Sequence, residues 1–220
     1  MHKTIRVLLI ICSAAFVIAS ENINFDTMAP DKVPAGWTIS MTHKGSAPKW
    51  IVIREQTAPS QPNVLAQTSD DATSSRFPLA IYNAIDSVDG VVRVKFKAIS
   101  GKKDQAAGIV WRYRDPDNYY IARANALENN VVLYKVENGK RTALAPKATP
   151  PNTYGVNHLV PSGTWCELSV QFHGNLFCVS FNGEKLFEVE DLTFREAGKV
   201  GLWTKADSVT YFDDFSVESK

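Results

Sequence analysis

The stretch GIVWRYRDPDNYYIARA, Gly108 to Ala124, decides the fold class. Two runs rich in aromatic and β-branched residues flank Asp115-Pro116-Asp117-Asn118, where proline presets φ and the Asp and Asn side chains bond their own backbone, the chemistry of a tight turn. Neither arm shows the apolar period of a helix, so the stretch reads as a β-hairpin. If Arg114 pairs with Tyr119, one side carries Val110, Arg112, Arg114, Tyr119, Ile121 and Arg123, and the other carries Ile109, Trp111, Tyr113, Tyr120 and Ala122. The second set is the more apolar and is expected to face the core. Arg112, Tyr119 and Arg123 are then expected on the outer face. There they would either bond and stack on a sugar or make salt bridges with acids such as Glu128 and Glu137; residue types alone leave both open.

Outward from this hairpin the same grammar repeats. Strand-like runs are LAIYNAI, VVRVKFKAI, VVLYKV, WCELSVQF, LFCVSF, KLFEVE, KVGLWT and VTYFDDFSV. Asn138-Gly139 and Asn182-Gly183 stand between such runs, and Asn-Gly favours the positive φ that a type I′ hairpin turn demands. Successive hairpins predict an all-β sandwich or jelly roll of antiparallel sheets. Residues 21–71, broken by Pro30, Pro34, Pro48, Pro59 and Pro62, are expected to be irregular. Residues 146–163 read as a long excursion between strands, the kind of loop that often carries binding.

The chain opens MHKTIRVLLIICSAAFVIAS, with Lys3 and Arg6 before an apolar run and small residues closing it. This layout predicts a signal peptide over residues 1–19 and a single sandwich domain over 20–220, exported to the periplasm or secreted. The run is too short to span a bilayer, and Ile11 stands where lipoprotein processing at Cys12 needs a small residue. Without Lys3 and Arg6 the mature chain has 22 Lys and Arg against 23 acids, a balance that does not steer it to nucleic acid. Cys166 shares the parity of Leu168 and Val170, whereas Cys178 is out of step with Phe177 and Val179. The two sulfurs are therefore expected on opposite faces of a sheet, as free thiols.

Three segments carry a family likeness: GIVWRYRDPDNYYIARANALENNVVLYKVENGKRTAL, PSGTWCELSVQFHGNLFCVSFNGEKLFEVEDLTF and GKVGLWTKADSVTYFDDFSV. Over about Gln105 to Val217 the order of motifs resembles the concanavalin A-like lectin/glucanase superfamily. More narrowly it is similar to bacterial exported domains of the 3-keto-disaccharide hydrolase type, near the laminin-G-like domains. The resemblance implies a concanavalin A-like jelly roll of two antiparallel sheets whose concave sheet faces a glycan. It also implies a structural calcium between the first strand and an aspartate of the last, here Asp26 and Asp213, with plain solvated carboxylates as the alternative.

The Glu-x-Asp-x-x-Glu spacing that places two carboxylates about 5 Å apart for a retaining glycanase is absent. His43, His158 and His173 show no metal-ligand spacing. These observations predict a monomeric, non-catalytic carbohydrate-binding domain for a poly- or disaccharide, with Arg112, Tyr119, Arg123, Lys135, Glu128 and His158 as binding residues and no cofactor beyond the calcium. The alternative is a hydrolase or lyase of 3-keto-glycosides. In that case Arg112, Arg123 or Lys135 would polarise the C3 ketone, and Glu128 or His158 would take the acidified C2 proton.

Overall fold

A computed structural model describes residues 19–220. The expected signal peptide, apart from Ala19, lies outside these residues. In chain order the strands are β1 (Ala19–Ile23), β2 (Trp37–Thr42), β3 (Trp50–Arg54), β4 (Asn63–Gln67), β5 (Phe77–Ser87), β6 (Gly90–Ser100), β7 (Ala106–Asp115), β8 (Asn118–Asn125), β9 (Asn130–Glu137), β10 (Lys140–Leu144), β11 (Val156–Asn157), β12 (Cys166–His173), β13 (Leu176–Phe181), β14 (Glu184–Glu190), β15 (Gly198–Trp203) and β16 (Val209–Ser219). They form two antiparallel eight-stranded sheets. The first runs β14-β13-β12-β6-β16-β4-β3 with β1 on β16, and the second runs β10-β9-β8-β7-β15-β5-β2 with β11 on β9.

Alternation explains the first sheet. Val92, Val94, Phe96 and Ala98 of β6 are fully buried between the sheets, while Arg93, Lys95 and Lys97 point outward and pair with Glu218, Asp214 and Glu55. Each apolar side chain buried this way contributes about 1.5–3 kcal/mol for a Val or Phe. Both primed turns form, with φ of 51° and 77° at Asn138 and Gly139 and 49° and 80° at Asn182 and Gly183. The thiols are free, with Cys166 buried and Cys178 half-buried. Cys178 stands opposite outward-facing Gln171 in the ladder, so the two do lie on opposite faces.

Two expectations are corrected. Residues 21–71 are not irregular, because β2, β3 and β4 all lie within them. Pro34, Pro48 and Pro62 fall just before these strands, so the prolines end the connections rather than forbid the pairing. The second correction concerns the opening hairpin. Asp115 pairs with Asn118 and Trp111 with Tyr120, and the register shifts between them. The extra residues sit in β7 as a bulge in which Arg112 has φ 47°. The bulge inverts parity over Arg112 and Tyr113. Trp111 and Tyr120 face the core as expected, but Arg112 turns inward beside Phe172 and Phe177, and Tyr113 turns outward beside Tyr119. Gly198 of β15 makes the bulge possible, since a Cβ there would lie 2.8 Å from Arg112 Cα.

The second sheet is strongly rolled. β10 and β5 are separated by β9, β8, β7 and β15 in the sheet, a span of ~24 Å if flat, yet the Arg141 guanidinium of β10 lies 4.8 Å from the Phe77 ring of β5. An arginine side chain cannot bridge the flat distance, so the two edges curl toward each other. Thr42 at the end of β2 likewise donates to the Pro116 carbonyl in the β7–β8 turn and accepts from Tyr119. The roll gives the outer face its own core of Phe77, Leu79, Ile81, Val110, Tyr119, Ile121, Val136 and Trp203. Gly108 lies opposite Trp203, and a Cβ there would come 3.2 Å from the indole, so the missing side chain leaves room for the ring.

Candidate functional site

Because the roll is filled by its own side chains, the expected open concave face is buried, and what remains accessible is its rim, the mouth, where Tyr154 and Glu128 are exposed. One chain of polar contacts crosses it. Lys205 Nζ lies 2.5 Å from Asp104 Oδ2, and Asn125 Nδ2 donates to Asp104 Oδ1 at 2.6 Å and to Glu128 Oε1 at 3.2 Å. Glu128 Oε2 accepts from Arg123 at 2.9 Å and from Asn130 at 3.0 Å. Burial alone pushes the Glu128 carboxyl up, but Arg123 and Asn130 outweigh it and hold the group below its ordinary range. Aromatic rings continue the line. The Arg123 guanidinium lies 5.4 Å from the Tyr134 ring and 5.9 Å from the Tyr154 ring. The two tyrosine hydroxyls are hydrogen-bonded to each other. Beyond them Arg141 lies over Tyr134, Phe77 and Trp203, and His43 stands edge-on to Phe77 at 5.4 Å.

Among these, Tyr154 is 48% exposed, and its residue lies in the 146–163 excursion. The Glu128 side chain is 38% exposed. Buried Arg123 Nε, Arg141 Nη1 and Thr204 Oγ1 have no hydrogen-bond partner among the described residues. The mouth thus combines an accessible ring with fixed charges.

The expected binding residues are only partly gathered here. Glu128 is at the mouth and reachable. Arg123 is at the mouth but fully buried, so its expected exposure is corrected: it positions Glu128 and the tyrosines. Tyr119 is also fully buried, with its hydroxyl 2.6 Å from Thr42 Oγ1, and it is no surface platform. Arg112 is 1% exposed and donates to the carbonyls of Val88, Phe194 and Gly174 at the far end of the sandwich. Burial lowers the pKa of its guanidinium. Lys135 faces the other side of its sheet and donates to Thr193 at 2.7 Å. His158 packs edge-on against Phe181 at 4.8 Å. Of the groups expected for 3-keto-glycoside chemistry, one cation and one base meet, Arg123 and Glu128, and they are engaged with each other; Arg112 donates to backbone carbonyls, Lys135 to Thr193, and His158 packs on Phe181.

Asp26 engages the first residue of β4 and Asp213 the β3–β4 loop before it. Asp26 Oδ1 accepts from Asn63 N at 3.1 Å, and Asp213 accepts from Ser60 N at 2.8 Å and from Asp214 N at 2.8 Å. Burial raises the Asp213 carboxyl to about 6. Among the described residues no three His, Cys, Asp or Glu side chains are grouped to hold a metal ion.

Sequence reasoning missed Arg141 and Tyr154. Arg141 was within reach, because the Asn138-Gly139 turn pairs it with Val136 and hence puts it on the face of Tyr134. Tyr154 lies in an excursion with no alternation to place it.

No protein-family model and no curated protein matches the chain. Solved structures do. The carbohydrate binding module CBM66 from Bacillus subtilis aligns with a TM-score of 0.63 at 18% identity, over 84% of this chain and 96% of the module. The cellulose induced protein Cip1 aligns at 0.62 and 12% identity, over 91% and 97%. The fold is a concanavalin A-like jelly roll. Domain 4 of AbnA, an extracellular GH43 arabinanase from Geobacillus stearothermophilus solved with arabinotriose, shares the jelly roll at a TM-score of 0.52 and 11% identity, over 83% of this chain and 82% of that one. At these identities the likeness is one of fold.

Proposed function

We propose that the protein is an exported, non-catalytic carbohydrate-binding domain that takes a poly- or disaccharide at the mouth of its rolled sheet. The observation that carries this reading is the exposed Tyr154 ring beside the Arg123–Glu128–Asn130 cluster. A tyrosine presents an apolar face for the C–H side of a pyranose, and an ionised carboxylate accepts from sugar hydroxyls. The named carbohydrate-binding module among the fold neighbours supports the reading by analogy. The leader-like N-terminus supports export, with a mature chain starting near Ser20.

Titration calorimetry with a panel of oligosaccharides tests it. Binding is expected at micromolar to millimolar concentration, and Tyr154→Ala is expected to weaken it at least tenfold while the melting temperature holds. A folded protein that binds no member of the panel overturns the reading.

A further inference from the structure

Arg141 stands apart from the other cations of the mouth. Lys205 is paired with Asp104 and Arg123 with Glu128. Arg76, under the β2–β3 loop, donates to Ser46 O, Ala206 O and Ser69 Oγ. Among the described residues, Arg141 has neither a carboxylate partner nor a hydrogen bond, though its side chain is half-buried and its Nη1 fully so. Rings rather than acids hold it: its guanidinium carbon is 4.5 Å from the Tyr134 centroid, 4.8 Å from Phe77 and 5.7 Å from Trp203. A half-desolvated cation without a counter-charge is costly, and stacking offsets only part of that cost. The carboxylates of the polar chain at the mouth, Asp104 and Glu128, are paired with Lys205 and Arg123 instead.

We propose that the mouth selects an acidic glycan, with the sugar carboxylate held by Arg141. The proposal rests on the mouth being a carbohydrate site. Stacking occupies the flat side of a guanidinium and leaves its N–H edge, the geometry that meets a planar carboxylate with two parallel hydrogen bonds. Nη1 is buried, whereas Nε and Nη2 are not among the buried unpartnered atoms and have no hydrogen bond among the described residues, so they form the edge left for a carboxylate. Tyr134 touches both Arg141 and Tyr154, its ring 5.9 Å from that of Tyr154. A sugar on Tyr154 therefore lies near the arginine that would take its acid group. Fixed aromatic contacts also preorganise Arg141, so little side-chain freedom remains to be lost on binding.

The test compares trigalacturonate, its carboxyl-reduced counterpart galactotriose, and a sulfated galactotriose by titration calorimetry on the unmodified mature protein. Trigalacturonate is expected to bind at least tenfold more tightly than galactotriose, and the difference should shrink between low and high salt. Arg141→Gln is expected to abolish the preference, and Arg141→Lys to retain only part of it, since an ammonium lacks the fork. Near-ultraviolet circular dichroism checks that the variants are folded. Equal or tighter binding of galactotriose overturns the acidic preference while leaving the carbohydrate reading standing. Tighter binding of the sulfated sugar overturns the carboxylate assignment. Binding to none of a broad oligosaccharide panel removes the carbohydrate reading itself. A preference that survives in folded Arg141→Gln overturns the role of Arg141.

Discussion

Arg112 Nη1 donates to the carbonyl oxygen of Phe194 at 2.7 Å, tying the bulge of β7 to the loop between β14 and β15. The same guanidinium also reaches the Val88 and Gly174 carbonyls, so one side chain fastens three connections at one end of the sandwich. Arg112→Ala leaves these acceptors without their donor and is expected to cost at least about 3 kcal/mol. Arg112→Lys should recover only part, because one ammonium cannot reproduce a planar fork. Urea unfolding measures both; a loss below about 1 kcal/mol for the alanine variant would show that the contacts are dispensable.

Trp111 stacks on Tyr120 at 5.4 Å and meets Phe177 edge-on at 5.4 Å, with no exposed surface. Truncation to alanine is expected to destabilise by about 3–5 kcal/mol. The adjacent residues thus both matter for stability, one as a buried ring and the other as a buried cation. An unchanged denaturation midpoint for Trp111→Ala would contradict the packing.

Asp213 carries a pH signature of unusual sign. Its carboxyl is raised to about 6 in the folded protein, against about 3.9 in an unfolded chain. Between these values the folded state binds more protons, so this group's contribution to stability falls as pH rises from about 4 to about 6 and stays low above that. Relative to the parent, Asp213→Asn should therefore gain on the order of 2 kcal/mol across that window. Melting curves of both proteins at pH 4, 5, 6 and 7 measure the difference. Calcium coordinated by Asp213 would hold it ionised, so a rise in melting temperature with calcium, lost in Asp213→Asn, is the outcome expected if the structural ion implied by the resemblance binds there; no response to calcium would favour plain carboxylates.

Cys166 and Cys178 should both react with a thiol reagent in denaturant without reductant. In the native protein half-buried Cys178 should react ahead of buried Cys166. Burial raises both thiols, so each should be slow at neutral pH. A native mass two hydrogens short would mean that they pair.

Much of the sandwich was legible in the sequence because strand parity and turn chemistry are local. Asn-Gly turns set the registers of β9 with β10 and β13 with β14, parity along β12 and β13 placed Cys166 and Cys178 on opposite faces, and Trp111 and Tyr120 were placed inward from their neighbours alone. Arg112 was misplaced because a bulge inverts parity without a residue signature, and its cause, the close approach of Gly198, lies far away in the chain. Tyr119 and Arg123 were placed on the right face, but their burial comes from the roll of the sheet, which brings β10 and β2 over strands they do not adjoin. Curvature of that kind sums small twists over many strands, so the narrowing of an open face to a mouth, and the choice of Tyr154 and Arg141 to line it, were decided only by the tertiary structure.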